Sequence, residues 1–295
     1  MKENYGYYAI VAASVLWGTM GIFAKFAFEY EINPVTLIAL RTLIGSVTML
    51  VPILLFKRDL LKVQRKDLGL FLVLGLFAVA LQRITYFYAI DLTTVTMAAV
   101  LFYTYPIFVT IYATLFNKES IATATILAII LTFTGAALVV KTYDASRLNA
   151  NLLGIAFGIS SSILFSLYFL LVKKLRKHYT NWTLVLYGDG IGALIMLPIL
   201  LFYIPQIVGY PQQLWQLVFA IAWFPSVTAY LIYSYALKHI ESAKGSILSV
   251  IEPISAAIFS ATILHESFEP PQLVGAALAL TGVTLLFYKP KRSSQ

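Results

Sequence analysis

Five ionisable side chains lie deep within long apolar runs of this 295-residue sequence: Lys25, Arg41, Arg83, Asp189 and Glu252. A charge in such a place is costly, and it faces a cavity or a partner of opposite sign. Glu252 falls about nine residues into its run, roughly 14 Å along a helix. A carboxyl at that depth can take up and release a proton or bind a cation, whereas a neighbouring Arg would hold it ionised. The first reading makes Glu252 the candidate for proton coupling. Pro253 follows it directly, as Pro106 follows Tyr105. Neither proline can donate a backbone hydrogen bond, so the carbonyls of Phe102 and Ser249 are expected to be free, each beside a flexible kink. Pro106 and Pro253 are the candidates for bending and gating.

Arg83 either binds a substrate carboxylate or forms a structural salt bridge. Lys25 and Arg41 can snorkel towards the outer membrane face, and Asp189, between two glycines, can neutralise an Arg. These three are the structural charge candidates. A cavity holding both signs suits a zwitterion, its carboxylate near Arg83 and its amine near Glu252 or aromatic faces. Aromatic residues are abundant, with 19 Tyr, 20 Phe and 4 Trp. Most tyrosines near run ends serve as belt residues at the membrane surface. Tyr103 and Tyr105 lie deeper and need a hydrogen-bond partner or a wet cavity. Tyr86, Tyr88, Tyr233 and Tyr235 read as belt residues or as gates. The substrate-binding candidates are Trp17, Arg83, Tyr86, Tyr103, Tyr105, Tyr233, Ser249 and Glu252. Other chemistry is poorly served. There is no Cys, so no thiolate or Cys-based metal site. His178, His239 and His265 share no metal-ligand spacing, and no phosphate-cradling loop is present. No cofactor, metal or catalytic residue is expected.

The elements that position these groups follow from composition. Apolar residues make up 60% of the chain, charged residues only 12%, and the mean hydropathy is +0.84. A soluble domain carries about a quarter charged residues, so the chain reads as an all-α integral membrane protein. Ten spanning helices are expected near 7–28, 34–56, 68–90, 95–116, 121–140, 152–172, 180–202, 213–237, 243–264 and 270–288. The net charge of +8 sits in the gaps: 16 Lys and Arg fall on one side and only Lys141 and Arg147 on the other. That asymmetry predicts cytoplasmic N- and C-termini in a multi-pass plasma-membrane protein. It also predicts anionic lipid as a partner of the basic loops, rather than nucleic acid.

Sliding the chain on itself by 147 residues aligns Tyr86, Tyr88 and Ala89 with Tyr233, Tyr235 and Ala236. The same offset pairs Pro106 with Pro253, Glu119-Ser120 with Glu266-Ser267, and Gly135 with Gly282. The expected units are residues 1–147 and 148–295, five helices each. An odd helix number inverts the second copy, an arrangement typical of secondary transporters with a midplane site.

The sequence also resembles the drug/metabolite transporter superfamily, in its ten-helix, EamA-type branch. The resemblance rests on Leu16-Trp17-Gly18 with Lys25, on Leu40-Arg41, on Tyr105-Pro106-Ile107-Phe108 closing on Glu119, and on Glu252-Pro253 closing on Glu266. It implies an exporter or exchanger of amino acids, other small metabolites or drugs, with helices 5 and 10 peripheral to the cavity. Arg83 and Asp189 lie outside that pattern. The alternatives are a multidrug or cationic-compound exporter, an intramembrane lipid-modifying enzyme and a passive channel. The enzyme would want clustered Asp or His, which the sequence lacks, and the channel a ring of like residues from several subunits.

Overall fold

Backbone amides in hydrocarbon have no water to bond, so a segment there must satisfy its own hydrogen bonds. The computed structural model, which describes residues 2–93, 95–117, 123–139, 141–144, 151–263 and 269–285, meets that demand with helices, and no strand occurs among the described residues. In the first half these are α1 (Lys2–Gly18), α2 (Met20–Phe28), α3 (Pro34–Phe56), α4 (Leu68–Val73), α5 (Gln82–Leu92), α6 (Val95–Phe102), α7 (Tyr105–Asn117) and α8 (Thr123–Val139). The second half holds α9 (Leu152–Leu175), α10 (Asn181–Phe202), α11 (Ile204–Val208), α12 (Gln212–Ala222), α13 (Ala229–Ala236), α14 (Ser242–Leu248), α15 (Ile251–Ile263) and α16 (Pro270–Leu285).

Several of these join end to end. Among the described residues, seven continuous runs are long and apolar enough to cross a membrane: Asn4–Phe28, Pro34–Phe56, Arg65–Ile90, Leu152–Leu175, Asn181–Phe202, Gln212–Ala236 and Ser242–Ile263. Three shorter apolar helices accompany them: Tyr105–Leu115, Thr123–Val139 and Pro270–Leu285.

Helix starts follow from local chemistry. The Asn33 side chain accepts from the Val35 amide at 2.9 Å with Pro34 at the first helical position, and Asn151 and Thr180 cap α9 and α10 in the same way. Each cap satisfies one of the amides that a helix start leaves without a partner.

Two long helices are not α-helical throughout. Leu74–Leu81, between α4 and α5, and Trp223–Thr228, between α12 and α13, are π-helical. The two segments end 147 residues apart, at Leu81 and Thr228. Among the described residues, short turns interrupt helical runs at Thr19, at Tyr103–Thr104, at Tyr203 and at Ser249–Val250.

Packing leaves the centre open. Helices α8 and α16 lie against each other at backbone distance, because a Cβ on Gly135 would sit 2.5 Å from the Gly275 carbonyl oxygen. Gln272 Nε2 donates to the Val139 carbonyl at 2.9 Å and closes one end of that pair. Helix α3 packs on α10, α5 on α9, and α1 on α13 and α15. The core between them is aromatic: Tyr105, Phe165, Phe169 and Tyr233 meet with ring centroids 5.1 to 5.4 Å apart.

Candidate functional site

A cavity of about 280 Å³ opens between the two halves of the chain. Trp17, Met20, Ala24 and Phe28 line it from the first run, Leu37, Ile38 and Arg41 from α3, and Gln82, Arg83 and Tyr86 from α5. Phe102 and Tyr103, Phe165, Tyr230 and Glu252 belong to the wall as well. The cavity reaches from Glu252 to Phe28 and Pro34 at one end of the bundle. Neither α8 nor α16 contributes to it.

The irregular backbone is what aims these groups. Each π-helical segment directly precedes polar cavity residues, Gln82 and Arg83 in one half and Tyr230 in the other. A π turn adds a residue to the helical repeat and re-aims the side chains that follow, and such turns concentrate at functional sites. The second π segment also supplies Ser226, whose Oγ donates to the carbonyl of Ile221 five residues earlier at 2.9 Å.

The two arginines have different partners. Arg83 Nη2 lies 2.9 Å from Asp189 Oδ1, and both side chains are almost fully buried, at 6% and 8% exposure. Arg83 Nη1 donates to Thr42 Oγ1 at 2.6 Å, and Thr42 in turn donates to the Ile38 carbonyl. The Tyr230 ring lines the same cavity as this guanidinium. A buried charge is tolerable only when paired and hydrogen-bonded in this manner. Arg41 has a neutral partner instead: Nη1 donates to Ser226 Oγ at 2.7 Å. It forms no ion pair with a carboxylate among the described residues, and it is only partly buried.

Glu252 also lines the wall, and its carboxyl makes no hydrogen bond or ion pair with a described residue. Aromatic rings surround its part of the cavity: Trp17, Tyr86, Phe102, Tyr103 and Phe165, with Tyr86 and Phe102 5.1 Å apart. Its backbone is held by α1, since a Cβ on Gly18 would lie 3.0 Å from the Glu252 carbonyl oxygen and 2.9 Å from the Ala256 amide. Only glycine lets α1 approach that closely.

Of the residues singled out in the sequence, Trp17, Arg83, Tyr86, Tyr103 and Glu252 line this cavity, and so does Arg41. Tyr105, Tyr233 and Ser249 are fully buried behind its wall. There the Tyr105 hydroxyl donates to the Ser246 carbonyl at 3.2 Å, and Ser249 Oγ donates to the Gly245 carbonyl at 3.0 Å. Asp189 is reached through Arg83 and Lys25 is exposed. Pro106 and Pro253 stand just after the two helix breaks. The expected free carbonyl at Ser249 is corrected by the structure: the Glu252 amide donates to it at 2.9 Å, because the chain tightens into a three-residue turn there. Tyr88 and Tyr235 are 45% and 43% exposed, matching a belt position. Glu119 and Glu266 lie outside the described residues. Sequence reasoning missed Gln82, Phe102, Phe165 and Tyr230 as wall residues. Only Tyr230 carried a signal, as the position 147 residues after Arg83.

The model of the EamA-like transporter family matches residues 4–141 and again 152–288. The chain belongs to the EamA-like transporter family. A protein of Archaeoglobus fulgidus named as an uncharacterized transporter is 31% identical over 282 residues, covering 96% of each chain. The Bacillus subtilis transporter YetK is 26% identical, covering 99% of this chain and 89% of its own. The Salmonella typhimurium inner membrane transporter YicL is 25% identical over 97% of this chain and 96% of its own. A solved crystal structure shares the fold, with a TM-score of 0.78 at 16% identity over 95% of this chain and 96% of that one. The family and these relatives make this EamA-like protein a transporter, and no cluster of His, Asp or Glu able to hold a metal occurs among its described residues.

Proposed function

We propose that this EamA-like protein is a secondary transporter that exports or exchanges small zwitterionic metabolites such as amino acids. In this reading ten helices form two inverted five-helix repeats, 1–147 and 148–295, with both termini in the cytoplasm and the chain in the plasma membrane. The two matches to the family model and the π segments ending 147 residues apart support the repeat. The observation that carries the substrate class is the pairing state of the cavity charges. Arg83 is matched by Asp189, which leaves one cation with only a hydroxyl partner, Arg41, and one carboxyl with none, Glu252. A carboxylate is then held by Arg41, with Arg83 and Tyr230 behind it, and an ammonium by Glu252 and its aromatic surround.

A single carboxyl that can hold either a proton or a substrate ammonium makes the two compete. Competition at one site, exposed in turn to each side, is sufficient for proton-coupled exchange. Transport into proteoliposomes of a labelled amino acid pool, with and without an outward proton gradient from an acidic lumen, tests this. Gradient-dependent accumulation is expected for the native chain, and equilibration alone for Glu252→Gln. Equilibration by both would remove proton coupling, and no movement of any amino acid would remove the substrate class. A second reading, export of hydrophobic cations, is favoured by the aromatic rings around Glu252. It predicts that tetraphenylphosphonium is itself carried, rather than merely blocking amino acid movement.

A further inference from the structure

A second hollow lies on the outside of the bundle, away from the central cavity. It is about 330 Å³, between α3 and α10. Leu43, Val47 and Leu50 line one wall, Gly190 and Leu194 the other, and Leu61 closes an end. Gly190 makes the hollow: a Cβ built there would meet nothing within 4 Å. Val47 and Leu194 are 46% and 69% exposed, so the hollow opens sideways, towards lipid.

Its lining gives water nothing to hold. The Ser46 hydroxyl already donates to the Thr42 carbonyl at 2.7 Å, and the Tyr187 hydroxyl to the Leu61 carbonyl at 2.7 Å. An apolar hollow of this size is not left empty either, since each wall atom facing a void forfeits its dispersion contacts. A hydrocarbon chain is the occupant that suits both conditions.

The closed end says which lipid. The turn Arg58–Leu61 is tied to the start of α10 by the Tyr187 bond and by Thr183 Oγ1, which donates to the Leu60 carbonyl at 2.8 Å. Along α3 the wall residues Leu43, Val47 and Leu50 continue at helical spacing to Leu54. Arg58 is pinned beneath them, its Nε donating to the Leu54 carbonyl at 2.7 Å. That bond uses one guanidinium nitrogen and leaves the forked Nη pair for a phosphate. Lys57 is exposed beside it, and the nearby Asp59 is already occupied by Lys62 at 2.6 Å. Trp182, 42% exposed in the first turn of α10, marks this end as the headgroup level.

We infer that the hollow between α3 and α10 is a discrete site for one anionic phospholipid, its acyl chain against Gly190 and its phosphate on Arg58 and Lys57. Gly190 directly follows Asp189 in sequence, so the lipid buttresses the part of α10 that holds Arg83. The site is independent of the transported substrate.

Native mass spectrometry of the purified chain in detergent, titrated with phosphatidylglycerol and phosphatidylcholine of identical acyl chains, tests the site. The native chain is expected to retain one phosphatidylglycerol about fivefold or more over phosphatidylcholine, as one or two basic contacts at the surface provide. Gly190→Trp, which fills the hollow, should abolish retention of both lipids. Arg58→Gln combined with Lys57→Gln, both at exposed positions, should keep the bound lipid and lose the preference. Equal retention of the two lipids by the native chain, or retention by Gly190→Trp matching the native chain, would overturn the proposal.

Discussion

Arg83 and Arg41 differ in what their loss should do, although both face the same cavity. Removing the Asp189 charge leaves Arg83 buried and unmatched, and losing one partner of a buried pair costs about 3–5 kcal/mol. Asp189→Asn is therefore expected to lower the melting temperature of the purified protein by several degrees. Arg41→Gln breaks a bond to a hydroxyl at a partly buried position, and its melting temperature should stay close to the native value. Its cost should appear in binding. A hydrogen bond to a charged group contributes about 1.5–3 kcal/mol, so affinity for a carboxylate substrate should fall by tenfold or more. Calorimetric or fluorescence binding beside a melting curve, on the two variants, checks the contrast. A stable Asp189→Asn, or an Arg41→Gln that binds normally, would reverse the two roles. Arg41, Arg83 and Asp189 were visible in the sequence as exceptions within apolar runs. Which of them pair was not, because Arg83 and Asp189 are 106 residues apart and either could have met another partner.

Helix positions were more legible than helix character. Asn33-Pro34 and Thr180-Asn181 mark two starts by capping chemistry that a sequence displays directly. The π segments were hidden: Leu74–Leu81 reads LGLFAVAL, a stretch whose side chains suit an α-helix equally well. For the same reason depth along a helix was readable but facing was not. Tyr103 and Tyr105 are two residues apart, yet one lines the cavity and the other is sealed behind it. The π segment gives a test at this scale. Deleting Ala78 takes out the one residue by which the π turn exceeds an α-helical repeat, so Leu74–Leu81 can return to α pitch with α5 facing much as before. Arg83 then still meets Asp189 and Thr42. The deletion should melt close to the native protein, and adding Asp189→Asn to it should lower the melting temperature as much as it does in the native chain. A deletion that melts as low as Asp189→Asn would mean that the π turn gives the ion pair more than room for one residue.

The whole molecule shows one half open where the other is closed. Met20, Ala24 and Phe28 line the cavity, and Phe28 is 43% exposed. The positions 147 residues later are Leu167, Leu171 and Leu175, all packed in the aromatic core, with Leu175 1% exposed. In an inverted repeat the two sets exchange roles when the site turns to the other side. The proposed alternating access therefore needs Leu175 to become accessible in the state that buries Phe28. The chain has no cysteine of its own, so single cysteines report without background. Phe28→Cys should react with a membrane-impermeant maleimide in the resting protein, and Leu175→Cys should be protected. Addition of a transported substrate should raise the labelling of Leu175→Cys and lower that of Phe28→Cys, with reagent supplied to the appropriate face. The two changes should follow the same substrate concentration, because one equilibrium governs both positions. Labelling of Leu175→Cys that stays at the resting level while substrate moves would show that the passage opens by some route other than an exchange between the halves.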